Sequence, residues 1–173
     1  MTAPFQRPTK GDYPDYFETY LGYVTEPDPI AVMTRQIDEV ARFFDEIPAE
    51  KADFAYAPGK WTIKEVVGHL SDTERVMAYR ALSFARGDRA ELPGFDENAW
   101  VPPAGFGQRS LEDLVGEWAS VRRATLSLLQ GLPEPARAAK GRANGRPLSV
   151  AAIAMMIPGH VRHHLRVITD RYL

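Results

Sequence analysis

The sequence predicts an all-α protein, a four-helix bundle with long loops between its helices. Four segments repeat apolar residues at intervals of three and four, which is the spacing of one helix face. Capping residues or prolines mark the ends of these segments, and no strand-like alternation of comparable length competes with them. The chain has 173 residues, of which 45% are hydrophobic, so it is long enough for one domain with a substantial core.

The first two predicted helices have clear start signals. The first opens at Asp28, an N-cap residue followed by a proline, and it ends at Pro48. The second opens at Thr62, where the Thr62 hydroxyl and the Glu65 carboxylate can form a capping box, and it ends at the helix breaker Gly87. Both segments present a continuous apolar seam, as the core helices of a bundle do.

The third and fourth predicted helices complete the bundle. The third begins at Ser110, with Asp113 in the capping-box position, and continues to Pro133. The fourth starts near residues 147–149 and continues to the C-terminus, and we expect Pro158 to kink it or divide it in two. Four such helices predict an antiparallel type of bundle, and the long loops leave room for a crossover connection.

Residues 1–27 form a predicted N-terminal extension of the helical domain at residues 28–173. Disordered arms are poor in aromatic residues, so we expect this aromatic-rich extension to pack onto the bundle. Its aromatic residues are Phe5, Tyr13, Tyr16, Phe17, Tyr20 and Tyr23. The loop at residues 88–109 is rich in proline and glycine, which is typical of an ordered irregular loop.

Composition disfavours several classes of function. The formal net charge of −2 provides no positive field for nucleic acid or anionic lipid, so we expect no nucleic-acid partner. The longest apolar run, residues 150–157, is far shorter than the roughly 20 residues of a membrane helix, and residues 1–23 lack the pattern of a secretory signal. We therefore expect a cytoplasmic protein with no membrane partner. The absence of cysteine leaves histidine and carboxylate groups as the candidate metal ligands.

All four histidines of the chain lie in two of the predicted helices. His69 belongs to the second helix, whereas His160, His163 and His164 belong to the fourth. Residues four apart differ by about 40° around a helix, so His160 and His164 project side by side, in one row with the apolar Ile157. His163 lies three residues after His160, so spacing alone also allows it as the second member of the pair. His69 lies at the margin of its helix's apolar face and can meet the pair from across the bundle.

Three neutral imidazoles around a divalent ion leave a coordination position open, as expected of a catalytic site rather than a closed structural one. Such an ion lowers the pKa of a bound water toward about 7 or holds an anionic nucleophile such as a thiolate. The alternative is that the histidines are hydrogen-bonded core residues without a metal. Asp72, three residues after His69, is the candidate catalytic residue, because it can orient an imidazole or act as general base. The alternative for Asp72 is a solvated surface position.

Four further residues are candidates for the surroundings of the site. Glu74 and Arg75 are expected to have a structural role, in a buried ion pair with Arg80 or with a loop residue, and a catalytic role is the alternative. Trp61 and Trp100 flank the second helix and the long loop, where they can wall a pocket or serve as ordinary packing.

Three separate motifs, in order along the chain, resemble the DinB/YfiT-like family of metalloenzymes, and especially its DinB-like subgroup. Residues 57–75, APGKWTIKEVVGHLSDTER, are similar to the second-helix signature of that family. Residues 93–100, PGFDENAW, are similar to its long-loop signature, and residues 159–164, GHVRHH, contain its terminal H-x-x-x-H. The resemblance extends from residue 20 to the C-terminus.

This resemblance implies a four-helix bundle that holds a divalent ion, nickel or zinc, at three histidines. His69, His160 and His164 stand at the matching positions, which leaves His163 as a neighbour of the site. The implied activity is a metal-dependent hydrolase, or a transferase that joins a low-molecular-weight thiol to an electrophilic small-molecule substrate. A non-catalytic metal-binding or small-molecule-binding bundle, such as a sensor, is the alternative. The resemblance also favours a homodimer.

Overall fold

A bundle of four long α-helices dominates the computed structural model, which describes residues 4–173. Over those residues the helices are α1 (Phe17–Gly22), α2 (Pro29–Asp45), α3 (Ile63–Ala85), α4 (Glu97–Ala104), α5 (Leu111–Gln130), α6 (Glu134–Arg137) and α7 (Val150–Arg171). Two short strands, β1 (Lys140–Ala143) and β2 (Arg146–Ser149), form an antiparallel hairpin just before α7. The long helices are α2, α3, α5 and α7, so the protein is an all-α four-helix bundle, as predicted.

The predicted helix starts are confirmed by their capping hydrogen bonds. The Asp28 side chain accepts from the backbone N–H of the second residue of α2, and the capping box of Thr62 and Glu65 is complete at the start of α3. Ser110 and Ser149 cap α5 and α7 in the same way. Each cap satisfies a backbone donor that the first turn of a helix leaves unpaired.

Two local features qualify the sequence prediction. Of the two outcomes expected at Pro158, a kink or a division, the division is wrong, because α7 is one helix that continues through this proline. The β-hairpin was not predicted, although its turn is an Asn-Gly pair, a strong signal for a hairpin. Asn144 and Gly145 have φ angles of 52° and 71°, the left-handed backbone that such a turn requires.

The directions of the long helices follow from contacts near the start of α3. The hydroxyl of Tyr172, at the end of α7, donates to the carbonyl of Trp61, so α3 and α7 are antiparallel. Lys64 contacts the carbonyl of Gly107, just before α5, so α3 and α5 are parallel. Neighbouring helices are therefore not all antiparallel. Residues 86–110, which contain α4, make the crossover connection that a parallel pair needs.

The order of the long helices around the bundle differs from their order in the chain. α2 packs mainly against α5 and α7, and α3 packs mainly against the same two helices. The consecutive helices α2 and α3 therefore lie diagonally across the bundle. This arrangement places α3 beside α7, the two helices that contain all the histidines.

A layer of buried polar groups separates two apolar clusters in the bundle. Arg122 of α5 donates to both carboxylate oxygens of Glu74 on α3, at 2.8 and 2.9 Å. It also donates to the side-chain oxygen of Gln36 on α2 at 2.7 Å, and the Gln36 amide donates to the carbonyl of Pro158 on α7 at 2.9 Å. This single network joins all four long helices.

The predicted partners, Arg80 or a loop residue, are wrong. Glu74 pairs with Arg122, and Arg75 pairs with Asp72 and Glu117. Glu74 and Arg80 lie on the same helix, six residues apart, which places them about 240° apart around its axis. An ion pair between α3 and α5 depends on tertiary packing, which helical spacing within α3 does not show.

The N-terminal segment from residue 4 to residue 28 lies against α7. Its side chains Phe5, Phe17 and Leu21 are buried in one of the apolar clusters. The backbone of α1 approaches α7 so closely that a Cβ atom at Gly159 would clash with the carbonyl oxygen of Tyr20. None of the helices in residues 4–173 combines the length and the apolar character that crossing a bilayer requires.

We predict that Glu74→Gln lowers the free energy of unfolding by about 3 kcal/mol, because it leaves the buried Arg122 guanidinium without its counter-charge. Urea unfolding followed by circular dichroism measures this loss. Arg123→Met, at the exposed neighbouring position, is the matched control and should change the free energy by less than about 0.5 kcal/mol. A loss below about 1 kcal/mol in Glu74→Gln would show that the layer is not a major source of stability.

A second prediction concerns stability in acid. Hydrogen bonds from Arg162 lower the pKa of Glu26 to about 2, from its ordinary value of 4.5. The ionised carboxylate therefore stabilises the fold above pH 4.5, and this contribution is lost as the pH falls from 4.5 toward 2. Glu26→Gln should flatten the decrease of unfolding free energy over that range, measured by urea titration at several pH values. Glu46→Gln, at an exposed position, should keep the wild-type slope, and an equal slope in all three proteins would refute the assignment.

Candidate metal centre

Three histidines from two helices converge on one point inside the bundle. The Nε2 atoms of His69 on α3 and His160 on α7 lie 3.1 Å apart, and those of His160 and His164 lie 3.0 Å apart. The candidate ligand atoms of all three lie within 4.8 Å of one another. His69 and His160 are buried, and His164 is partly buried.

Helix geometry explains this convergence. His160 and His164 are one turn apart on α7, so their rings project from the same face. Because α3 is antiparallel to α7, its first half lies beside the second half of α7, and His69 faces the pair across that contact.

Burial keeps the three rings neutral. It lowers the pKa of His69 to about 4 and holds the pKa values of His160 and His164 well below the ordinary value of 6.5. The other histidines lower the pKa of His160 further, as does the nearby positive charge of Arg122. Neutral imidazoles keep a lone pair free, and a lone pair is what a metal ion needs from a histidine ligand.

The donor set fits a divalent transition metal. When each ring carries its proton on Nδ1, three Nε2 lone pairs face a common point, and one cation there would satisfy all three. Three imidazole nitrogens are the protein ligands of several catalytic zinc sites, and imidazole also suits nickel. These residues can therefore hold such an ion and leave a position for a small molecule.

His163 is not a member of the convergent group. Its ring contacts Tyr20 edge-on and Tyr23 at a tilt, at centroid distances of 5.4 and 5.9 Å. Its Nδ1 atom is buried and has no hydrogen-bond partner among residues 4–173. The structure thus separates the two candidates that spacing alone left open, because His164 joins the convergent group and His163 does not.

Asp72 lies outside the group of histidines. Its carboxylate accepts a hydrogen bond from Arg75 at 3.4 Å, and Asp72 borders a different cavity. No hydrogen bond links Asp72 to a histidine within residues 4–173. Thr73, also on α3, lies closer to the site, with its hydroxyl 3.4 Å from Nδ1 of His69. A catalytic role for Asp72 therefore stays a prediction.

Aromatic side chains surround the histidines on two sides. The ring of Trp61 lies 4.7 Å from that of His69, and the ring of Tyr20 lies 5.3 Å from that of His160. Trp100 lies elsewhere, packed against Phe95 with 44% of its surface exposed. Of the two predicted wall residues, only Trp61 contacts a histidine of the site.

A cavity of about 250 Å³ opens beside His69 and His160. Its other lining residues come from α1, α3, α7, the loop before α4, the first residue of α4 and the hairpin turn, and they include Tyr20, Thr73, Met77, Arg80, Phe95, Glu97 and Asn144. Sequence reasoning missed the place of Tyr20, Thr73 and Arg80 in this site. Thr73 follows His69 by four residues, so the spacing that pairs His160 with His164 also identifies it. A larger groove, of about 650 Å³, contains none of the histidines.

Comparisons with known proteins agree with this geometry. The family model described as the DinB superfamily matches residues 33–168. The fold is similar to that of YfiT from Bacillus subtilis, described as a probable metal-dependent hydrolase with an unusual four-helix bundle topology. That similarity has a TM-score of 0.73 and 16% sequence identity, and it covers 95% of this chain and 90% of YfiT. No curated protein matches the sequence significantly. Because the family model spans most of the chain, the chain belongs to the DinB superfamily.

Proposed function

We propose that the chain is a metal-dependent enzyme whose divalent ion, nickel or zinc, is held by His69, His160 and His164. The observation that carries this proposal is the convergence of their three Nε2 atoms in a largely buried position. The description of YfiT as a probable metal-dependent hydrolase supports the same conclusion.

The chain's own residues prepare the site for this chemistry. A divalent ion, when bound, lowers the pKa of a water or thiol at its open position and so supplies a nucleophile at neutral pH. His69, His160 and His164 stay neutral and orient their lone pairs, because burial opposes their protonation. Tyr20 and Trp61 exclude water from two sides of the histidine group.

Two reactions suit this arrangement. In hydrolysis, a water oxygen bonds to an electrophilic carbon, the bond from that carbon to the leaving group breaks, and the leaving group takes that bond's electron pair and the proton lost by the water. In thiol transfer, the sulfur of a low-molecular-weight thiol takes the place of the water oxygen. The cavity of about 250 Å³ is slightly below the roughly 300–1,000 Å³ of pockets for drug-sized ligands, so we propose a small-molecule substrate.

A bundle that binds a metal or a small molecule without turnover is the alternative function, and the activity measurement below separates it from an enzyme. The homodimer and the cytoplasmic location stay predictions.

We predict about one divalent ion per chain in protein purified without an affinity tag or chelator, measured by elemental analysis. His160→Ala should lose most of this metal, because it removes the central ligand of the group. His163→Ala is the matched control on the same helix and should retain the metal, since His163 is not among the three convergent histidines and its ring packs against Tyr20. The proposed centre would be refuted if folded wild-type protein took up neither nickel nor zinc when both were supplied.

We also predict metal-dependent turnover in a panel of small esters, amides and thiol-plus-electrophile pairs. The chelated protein should lose activity, and added nickel or zinc should restore it. Product formation with water alone identifies a hydrolase, and formation that requires a thiol identifies a transferase. A metal-loaded protein that binds panel compounds without product above background would favour the sensor alternative.

Asp72→Asn tests the predicted general base within the same panel. If Asp72 moves a proton, the variant should keep its metal and lose about a hundredfold in kcat. Unchanged kcat would show that Asp72 serves only its pairing with Arg75.

A further inference from the structure

Arg80 presents a buried guanidinium group to the cavity beside the histidines. Its side chain is on α3, only 4% of the residue's surface is exposed, and it lines the same cavity as His69 and His160. Within residues 4–173, no carboxylate lies within ion-pair distance of it. Its one close hydrogen bond goes from Nη2 to the carbonyl of Pro93 at 2.8 Å, and Nη1 makes only a long contact of 3.9 Å with the sulfur of Met77.

The other two buried arginines have more hydrogen-bond partners within the fold than Arg80 has. Arg122 donates to both oxygens of Glu74 and to Gln36. Arg137 donates to main-chain carbonyls, among them that of Leu132. Burial of a charge is costly unless the charge is paired. The pairing that neutralises Arg122 has no counterpart at Arg80, whose guanidinium carries five N–H donors.

The position of Arg80 on α3 directs it toward the histidines. It follows His69 by eleven residues, about three turns, so the two share one face of the helix about 16 Å apart along its axis. Side chains on a helix lean toward its N-terminus, and the long Arg80 side chain therefore extends back along the cavity toward His69. A ligand can occupy the space between the guanidinium and the convergent imidazoles.

The wall around Arg80 is held in place from outside α3. The ring of Phe95 lies 5.9 Å from the guanidinium carbon. The loop that contains Phe95 is fastened to the hairpin turn, because Asn144 donates its backbone N–H to the carbonyl of Leu92 at 3.0 Å and its side chain packs on Gly94. These contacts orient the guanidinium before any ligand arrives, which reduces the entropic cost of binding.

We propose that Arg80 binds a carboxylate group of the substrate while the reactive group of the same molecule lies at the three histidines. The planar fork of an arginine matches the two oxygens of a carboxylate. Glu97 lines the same cavity, and its negative charge disfavours a dianion such as a phosphate monoester relative to a singly charged carboxylate. The evidence for the carboxylate site is Arg80 and its cavity. Only the position of the reactive group at the histidines depends on the proposed function.

Cobalt(II)-loaded protein provides the test, because cobalt reports thiol binding by a sulfur-to-metal charge-transfer band in the near ultraviolet. The probes are mercaptoalkanoates of three to six carbons, the corresponding mercaptoalcohols, and 2-mercaptoethanesulfonate. We expect at least one acid to bind about tenfold or more tightly than its alcohol, because of its charge-assisted hydrogen bonds with Arg80. Arg80→Met should abolish this preference, and Arg80→Lys should retain part of it. Arg123→Met, at an exposed position, should leave the preference unchanged.

Equal affinities for acids and alcohols in the wild-type protein would overturn the proposal. Tighter binding of the sulfonate than of every carboxylate would overturn the choice of carboxylate. A protein that takes up no cobalt would overturn the metal centre alone. In that case nitrogen-15 NMR of the Arg80 Nε–H signal tests the carboxylate site in the metal-free protein. The signal is assigned by its loss in Arg80→Lys. Addition of propionate should shift this signal and propanol should not, and no shift with propionate would overturn the site.

Discussion

The buried guanidinium of Arg122 is the constraint on which the arrangement of the bundle depends. A charge in the interior is tolerated only when its donors are paired, and its partners come from other helices: Glu74 from α3, and Gln36 from α2. Gln36 in turn binds the carbonyl of Pro158, two residues before His160. The network therefore fixes the height of α7 relative to α3, and with it the level at which the histidines meet. The same charge opposes protonation of His160.

The N-terminal segment makes the site asymmetric. α1 can lie close to α7 because Gly159 has no side chain, and this contact places the ring of Tyr20 against His160 and His163. One side of the histidine group is thus closed by α1. Part of the wall of the adjacent cavity comes from the loop before α4 and from the hairpin turn at Asn144. A site inside a simple bundle would be solvated at its open end, whereas here segments outside the four long helices enclose it.

The helices were predictable because their signals are local. The capping box at Thr62 and the spacing of His160 and His164 lie within a few residues of chain, and the structure reproduces both. The partner of Glu74 is 48 residues away, and no local pattern indicates it. No local pattern indicates the parallel packing of α3 and α5 either, because it depends on the path of the crossover loop between them. The hairpin, in contrast, has a local signal in its Asn-Gly turn, but a search for helical periodicity does not detect that signal. Arg80 was identified in the sequence only as a pairing partner, because its cavity exists only in the folded chain.

Anomalous scattering from crystals, recorded at the nickel and zinc absorption edges, shows whether an ion lies between the three histidines. We predict one peak per chain, at one of these edges, about 2.0–2.1 Å from the Nε2 atoms of His69, His160 and His164. If crystals grown with both metals show no peak at this point while the three imidazoles keep the positions described, these histidines do not form a metal centre.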